Sequence, residues 1–166
     1  MRLRISFRPA APEPDIVSAT AAYQELWDAH GDEIVRQLEA RAGLQFAERD
    51  LDAQVHEGPS RSHPLTLRAS YDRETKLGTL IHELAHRLVV DALPSARGLE
   101  SHEVIYLFLF EVWTDLFGRA FAQRQVDVES RRRPLYAAAW RNVHAIDPTA
   151  RAARLRALVS GPAERR

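Results

Sequence analysis

Residues 79–90 read T-L-I-H-E-L-A-H-R-L-V-V, and three of them can do chemistry together. His82, Glu83 and His86 form the pattern H-E-x-x-H. On an α-helix, positions i and i+4 share one face a turn apart, so both imidazoles can reach one metal ion. Glu83 projects beside them, where a carboxylate can take a proton from an activated water. The chain has no cysteine. Thiol catalysis, disulfides and thiolate-held zinc are therefore excluded, and a metal must be held by His, Asp or Glu.

The pattern is short, so a third ligand has to be found. Between Val104 and Phe117 every residue is apolar, aromatic or threonine except Glu111 and Asp115. These are again i and i+4, and two carboxylates on one apolar helix face repel each other and are poorly solvated. A dication bound by Glu111, with Asp115 accepting a hydrogen bond from a ligating imidazole, compensates both. The alternative is a protonated pair, or one paired with Arg87 or Arg119. His102 is the competing ligand. From 102 to 111 is nine positions, about 900° of rotation and about 13 Å of rise, so one continuous helix cannot offer both residues to the same ion. Glu111 is preferred because only it has a carboxylate one turn on.

The elements that must carry these residues follow from periodicity. Residues 1–8 alternate, with Leu3, Ile5 and Phe7 on one side, as a half-buried strand does. From about Pro14 to Ala42 the apolar spacing is helical, with a bend or break expected at His30-Gly31-Asp32 and an end at Gly43. His30 itself reads as a helix-end residue rather than a ligand. Residues 51–57 and 64–70 read as two more strands, joined through Gly58-Pro59-Ser60 as a possible hairpin. Asp72 is a plausible N-cap for the motif helix, 73–91, which Pro94 and Gly98 terminate. Ser101 opens a long helix over 102–125, with Gly118 allowing a close helix–helix approach. Residues 126–133, ending in three arginines, read as a solvated turn. A helix over about 135–145 and another opening at Asp147-Pro148 close the chain, and Gly161 to Arg166 is expected to fray. The fold class is α+β: a small N-terminal sheet packed on the active-site helix, then a mainly helical part, all within one domain over 1–166.

His82-Glu83-x-x-His86 followed by Glu111-x-x-x-Asp115 resembles the gluzincin clan of zinc metallopeptidases in a minimal form. The resemblance covers about residues 64–118. It implies a zincin-like fold, one zinc ion on His82, His86 and Glu111, Glu83 as general base, and Asp115 orienting a ligating histidine. It also implies an edge strand, 64–70, along the cleft that takes a peptide or protein substrate. The chain departs from the large gluzincins in having Phe110 before Glu111, where they carry asparagine. SprT-like peptidases, with a third histidine, are the other family resembled; His102 would then be the ligand, although their Cys-rich zinc ribbon is missing. Tyr106, Tyr71, His102 and His144 are candidates for steadying the transition state. A different class of reading is a metal-stabilised interaction domain without catalysis.

Composition narrows the setting. Acidic and basic residues balance at 23 each, which argues against a general nucleic-acid or membrane-surface binder. No apolar run is long enough to span a bilayer and no secretory leader is evident, so a cytoplasmic, bacterial peptide hydrolase is expected. The oligomeric state is left open.

Overall fold

The structure, a computed structural model, describes residues 3–93 and 101–161. The expected terminators Pro94 and Gly98 and the fraying residues 162–166 lie outside that range, as does the side chain of Ser101. The described elements are β1 (Arg4–Pro9), α1 (Pro14–Ala42), β2 (Asp50–His56), β3 (Leu65–Arg68), α2 (Arg73–Ala92), α3 (Ser101–Phe117), α4 (Arg119–Arg132), α5 (Pro134–His144) and α6 (Pro148–Val159). The α+β class and the N-terminal sheet are as expected. Among the described residues, no helix is long and apolar enough to cross a membrane.

The three strands lie in the order β1-β2-β3, and both pairings are parallel. The hairpin expectation for the second and third strands is therefore corrected. After β2 the chain runs back along the outer side of β3 before entering it. Arg61 exchanges both backbone hydrogen bonds with Thr66, at 3.0 and 2.9 Å. A four-residue β3 is only about 13 Å long, so the short return through Gly58 to Pro64 suffices. This also closes the outer edge of β3 at Thr66, the edge where an extended substrate was expected.

One face of the sheet buries Ile5, Leu51, Ala53, Val55, Leu65 and Leu67 against helices α1 and α2. The alternating pattern of β1 and β2 produces this directly. α1 is one unbroken helix of 29 residues ending at Gly43, which adopts the left-handed conformation at φ 67°. Gly31 does not break it. A Cβ at Gly31 would stand 2.8 Å from the Trp27 indole, so the glycine makes room for that ring. Asp72 caps α2 as anticipated, accepting from the Thr75 N–H at 2.8 Å.

The long helix expected over 102–125 is divided. Gly118 has φ 85° and ψ 160°, a region essentially reserved for glycine, and a Cβ there would meet nothing within 4 Å. Its function is conformational rather than to permit a close approach. It ends α3 and lets α4 pack against both α3 and α2. Gly118→Ala is expected to cost about 1–3 kcal/mol of unfolding free energy, measurable by denaturant titration; an unchanged midpoint would show that the bend tolerates a side chain.

Candidate metal centre

α2 is buried along most of its length from Thr75 to Val89, because it lies between the sheet, α1, α3 and α4. His82, Glu83 and His86 are each less than 9% exposed. Three buried polar groups on one helix must be matched by partners, and the first turns of α3 provide one of them.

His102, on the first turn of α3, meets the pair on α2. The His86 Nε2 lies 3.1 Å from His82 Nε2 and 3.3 Å from His102 Nε2, and the three ligand atoms all lie within 4.8 Å of one another. Neutral imidazoles carry one donor each, so they cannot satisfy such a triangle among themselves. Tetrahedral bonds of about 2.0–2.1 Å from one ion would put ligand nitrogens about 3.3–3.4 Å apart. The two His86 distances are close to that spacing, so the group could hold a metal ion, and an all-imidazole donor set suits a transition metal such as zinc, copper, iron or nickel. Burial, reinforced by the His82 charge, pushes the His86 pKa far below its ordinary value and that of His102 down to about 4. Both rings are thus neutral near pH 7, as ligands must be.

His82 is held differently. Burial alone would lower its pKa, but the Glu129 carboxylate outweighs that and raises it. Glu129 Oε1 stands 2.5 Å from His82 Nδ1, and its Oε2 accepts a hydrogen bond from the Trp140 indole at 2.9 Å. Burial would raise the Glu129 pKa, yet His82 and its other partners hold it low, so it is ionised. The Tyr106 hydroxyl is buried nearby and makes no well-formed hydrogen bond, while its ring stacks on Trp140 with centroids 3.7 Å apart. The carboxylate stands close to Nδ1 without a well-formed hydrogen bond, and its charge on that side of the ring leaves Nε2 facing the other two rings. Glu129→Gln is expected to weaken zinc binding by about 10–100-fold in a competitive chelator titration; unaltered affinity would remove Glu129 from the site.

Glu111 and Asp115 are elsewhere, which corrects both expected roles. Glu111 pairs with Arg151 of α6, whose side chain is 8% exposed. Asp115 accepts a hydrogen bond from Arg41 of α1 at 2.7 Å. The two acids are compensated by arginines, though by neither Arg87 nor Arg119. The helical phase explains the outcome. α3 runs unbroken from Ser101 to Phe117, so a face that presents His102 to α2 turns Glu111 away. His30 is apart from the site as well, its ring edge-on to Phe117.

The sequence reading missed Glu129 and Tyr136. Glu129 fell within residues read as a solvated turn, but 126–132 continue α4. Phe121, Ala122, Gln125 and Val126 are buried, and Glu129 takes the next place on that face, a spacing that was legible. Tyr136 tilts over His102 with centroids 4.3 Å apart. Of the earlier candidates for transition-state contact, His144 packs against Phe110 and Trp140, and Tyr71 lies under the Arg132 guanidinium at 4.8 Å.

Above the three histidines opens a cleft of about 270 Å³, lined by Ser60, Arg61, Ser62 and His63 on one wall and Tyr136 on the other, with Glu83 on its floor. The Ser60–His63 wall is fixed from behind: Arg87 donates to the Ser62 carbonyl at 2.8 Å, and His63 Nε2 lies 2.9 Å from Asp91. A larger hollow of about 670 Å³ lies along α1 near Asp32, Arg36 and Glu39, and the histidine group is not part of it. Burial is the main reason that the Glu83 pKa is raised, and Glu129 adds to the shift. A carboxylate so placed is a stronger base than an exposed one. No protein-family model, curated protein or solved structure matches the chain.

Proposed function

We propose that the protein is a zinc-dependent metalloendopeptidase in which His82, His86 and His102 hold one zinc ion and Glu83 is the general base. The observation that carries the reading is the triangle of imidazole nitrogens with Glu83 beside it on the floor of one cleft. Zinc, when bound, supplies the Lewis acidity that makes a water nucleophilic near neutral pH. Glu83 takes the proton of that water as it attacks the peptide carbonyl, then delivers it to the leaving amine. Glu129 keeps His82 in register through Nδ1, and the α2 framework excludes bulk water from the base. Tyr136 offers a hydroxyl at the cleft wall toward the developing oxyanion. With His102 in place of Glu111, the ligand set departs from the gluzincin pattern and agrees with the three-histidine, SprT-like alternative.

The experiment is metal removal and return. Purified protein is expected to bind about one zinc per chain and to cleave an unstructured protein substrate. A chelator should abolish the cleavage, and stoichiometric zinc should restore it. The small size of the cleft favours one other reading, a metal-stabilised interaction domain. Zinc would then raise the thermal midpoint while no substrate in a broad peptide library was cut, and that result would displace the peptidase proposal.

A further inference from the structure

On the side of α3 away from the three histidines, Glu111 is only half satisfied. One carboxylate oxygen, Oε1, pairs with Arg151, whereas Oε2 is buried and accepts no hydrogen bond among the described residues. A buried anionic acceptor without a donor is costly. Glu111 lines a cavity of about 320 Å³ between the end of α3, the start of α4 and the corner joining α5 to α6. What fills that cavity can supply the missing donor. Its lining is balanced in charge, with Glu111 and Asp147 set against Arg119 and Arg151, and Phe110 and Ile146 add an apolar wall. Two of the four charges are already engaged. Arg151 holds Glu111 Oε1 and donates to the Ile146 carbonyl at 3.2 Å. Asp147 Oδ1 caps α6, accepting from the Thr149 and Ala150 N–H groups at 2.9 and 3.1 Å. Arg119 is different. Its side chain is exposed, its guanidinium lies 5.6 Å over the Phe110 ring, and among the described residues it makes no hydrogen bond or ion pair.

We propose that this cavity binds a small zwitterion, a free amino acid with an apolar side chain, whose ammonium donates to Glu111 Oε2 and whose carboxylate accepts from Arg119. The two groups left over are one anionic acceptor and one forked cationic donor, and a zwitterion answers both through charge-assisted hydrogen bonds. A simple amine would leave Arg119 unmatched, and a simple carboxylate would leave Glu111 Oε2 unmatched. A ligand without net charge also preserves the balance of the lining. The metal centre takes no part, because Glu111 and His102 stand half a turn apart on α3.

The test is calorimetric titration of the protein, with zinc added, by each free L-amino acid in turn. The best-bound one is then compared with the amine that lacks its carboxylate and the acid that lacks its ammonium. An apolar amino acid is expected to bind, and each of its two analogues about tenfold more weakly. Arg119→Gln, at an exposed position, should reduce the amino acid to the affinity of its amine analogue without moving the unfolding midpoint. Glu111→Gln should reduce it to the affinity of its acid analogue; if that variant is too unstable to titrate, Arg119→Gln decides alone. Absence of binding by any amino acid would overturn the proposal and leave water as the donor to Glu111. Equal binding of the amino acid and its analogues, or tightest binding of one with a charged side chain, would overturn it as well. So would an affinity that survives Arg119→Gln, as coordination to the zinc ion would. None of these outcomes depends on whether the protein cleaves peptides.

Discussion

Glu83→Gln is expected to retain zinc while losing peptide hydrolysis by roughly 10²–10⁴-fold, the range over which a positioned general base contributes. The substitution is close to isosteric, and Glu83 is 8% exposed on a helix buried along most of its length. An amide keeps the shape and the polarity but cannot take a proton. Burial raises the pKa of the native carboxylate, which brings its basicity nearer to neutral pH and makes its loss more costly. Metal analysis and progress curves on the same preparation separate the two effects. Undiminished cleavage would sink the general-base assignment. Loss of zinc together with cleavage would make Glu83 a structural element of the site instead.

The second large effect distinguishes the ligands. His102→Ala should lower zinc affinity by more than the roughly 10–100-fold expected of an outer partner, because it removes one of three direct donors. Glu111→Ala should leave zinc content unchanged and reduce stability by about 1–3 kcal/mol. The reason is local: Arg151, 8% exposed, loses its carboxylate and keeps only the Ile146 carbonyl at 3.2 Å. Zinc titration and denaturant unfolding of the two variants should therefore show opposite patterns. Zinc loss in Glu111→Ala alone would return the site to a gluzincin-type ligand set.

These two variants also mark where the sequence was readable. The strands, the motif helix and its Asp72 cap, and the closing helices followed from short-range patterns that the tertiary structure respected. Local rules failed where a glycine had two available uses. Gly31, in the middle of an apolar helical pattern, accommodates the Trp27 ring instead of breaking α1. Gly118, read as a spacer inside a helix, ends one. That single difference hid Glu129, since a helix continuing past Gly118 would not fold back to α2. The choice between His102 and Glu111 was framed by helical phase as exclusive, and electrostatics favoured Glu111, which the fold pairs with Arg151 while His102 joins the two histidines of α2. Nothing local in the sequence shows that Arg41 and Arg151, 74 and 40 positions away from their acids, neutralise that face. Strand direction was illegible for a related reason. Alternation identifies a strand and its buried face, and it is silent about whether the neighbour runs with it or against it.

The contact between His82 and Glu129 has a kinetic meaning. The two residues are 47 positions apart in the chain, and the parallel pairing of Arg4 with Asp50 spans 46. Contacts of this range are formed only after considerable loop-closure entropy has been spent, so they tend to come late in folding. α2 can form early from its own cap and apolar stripe, carrying two histidines that do not yet have a carboxylate to orient them. A nascent chain would thus acquire its helix first and its ordered histidine cluster last, once α4 has docked.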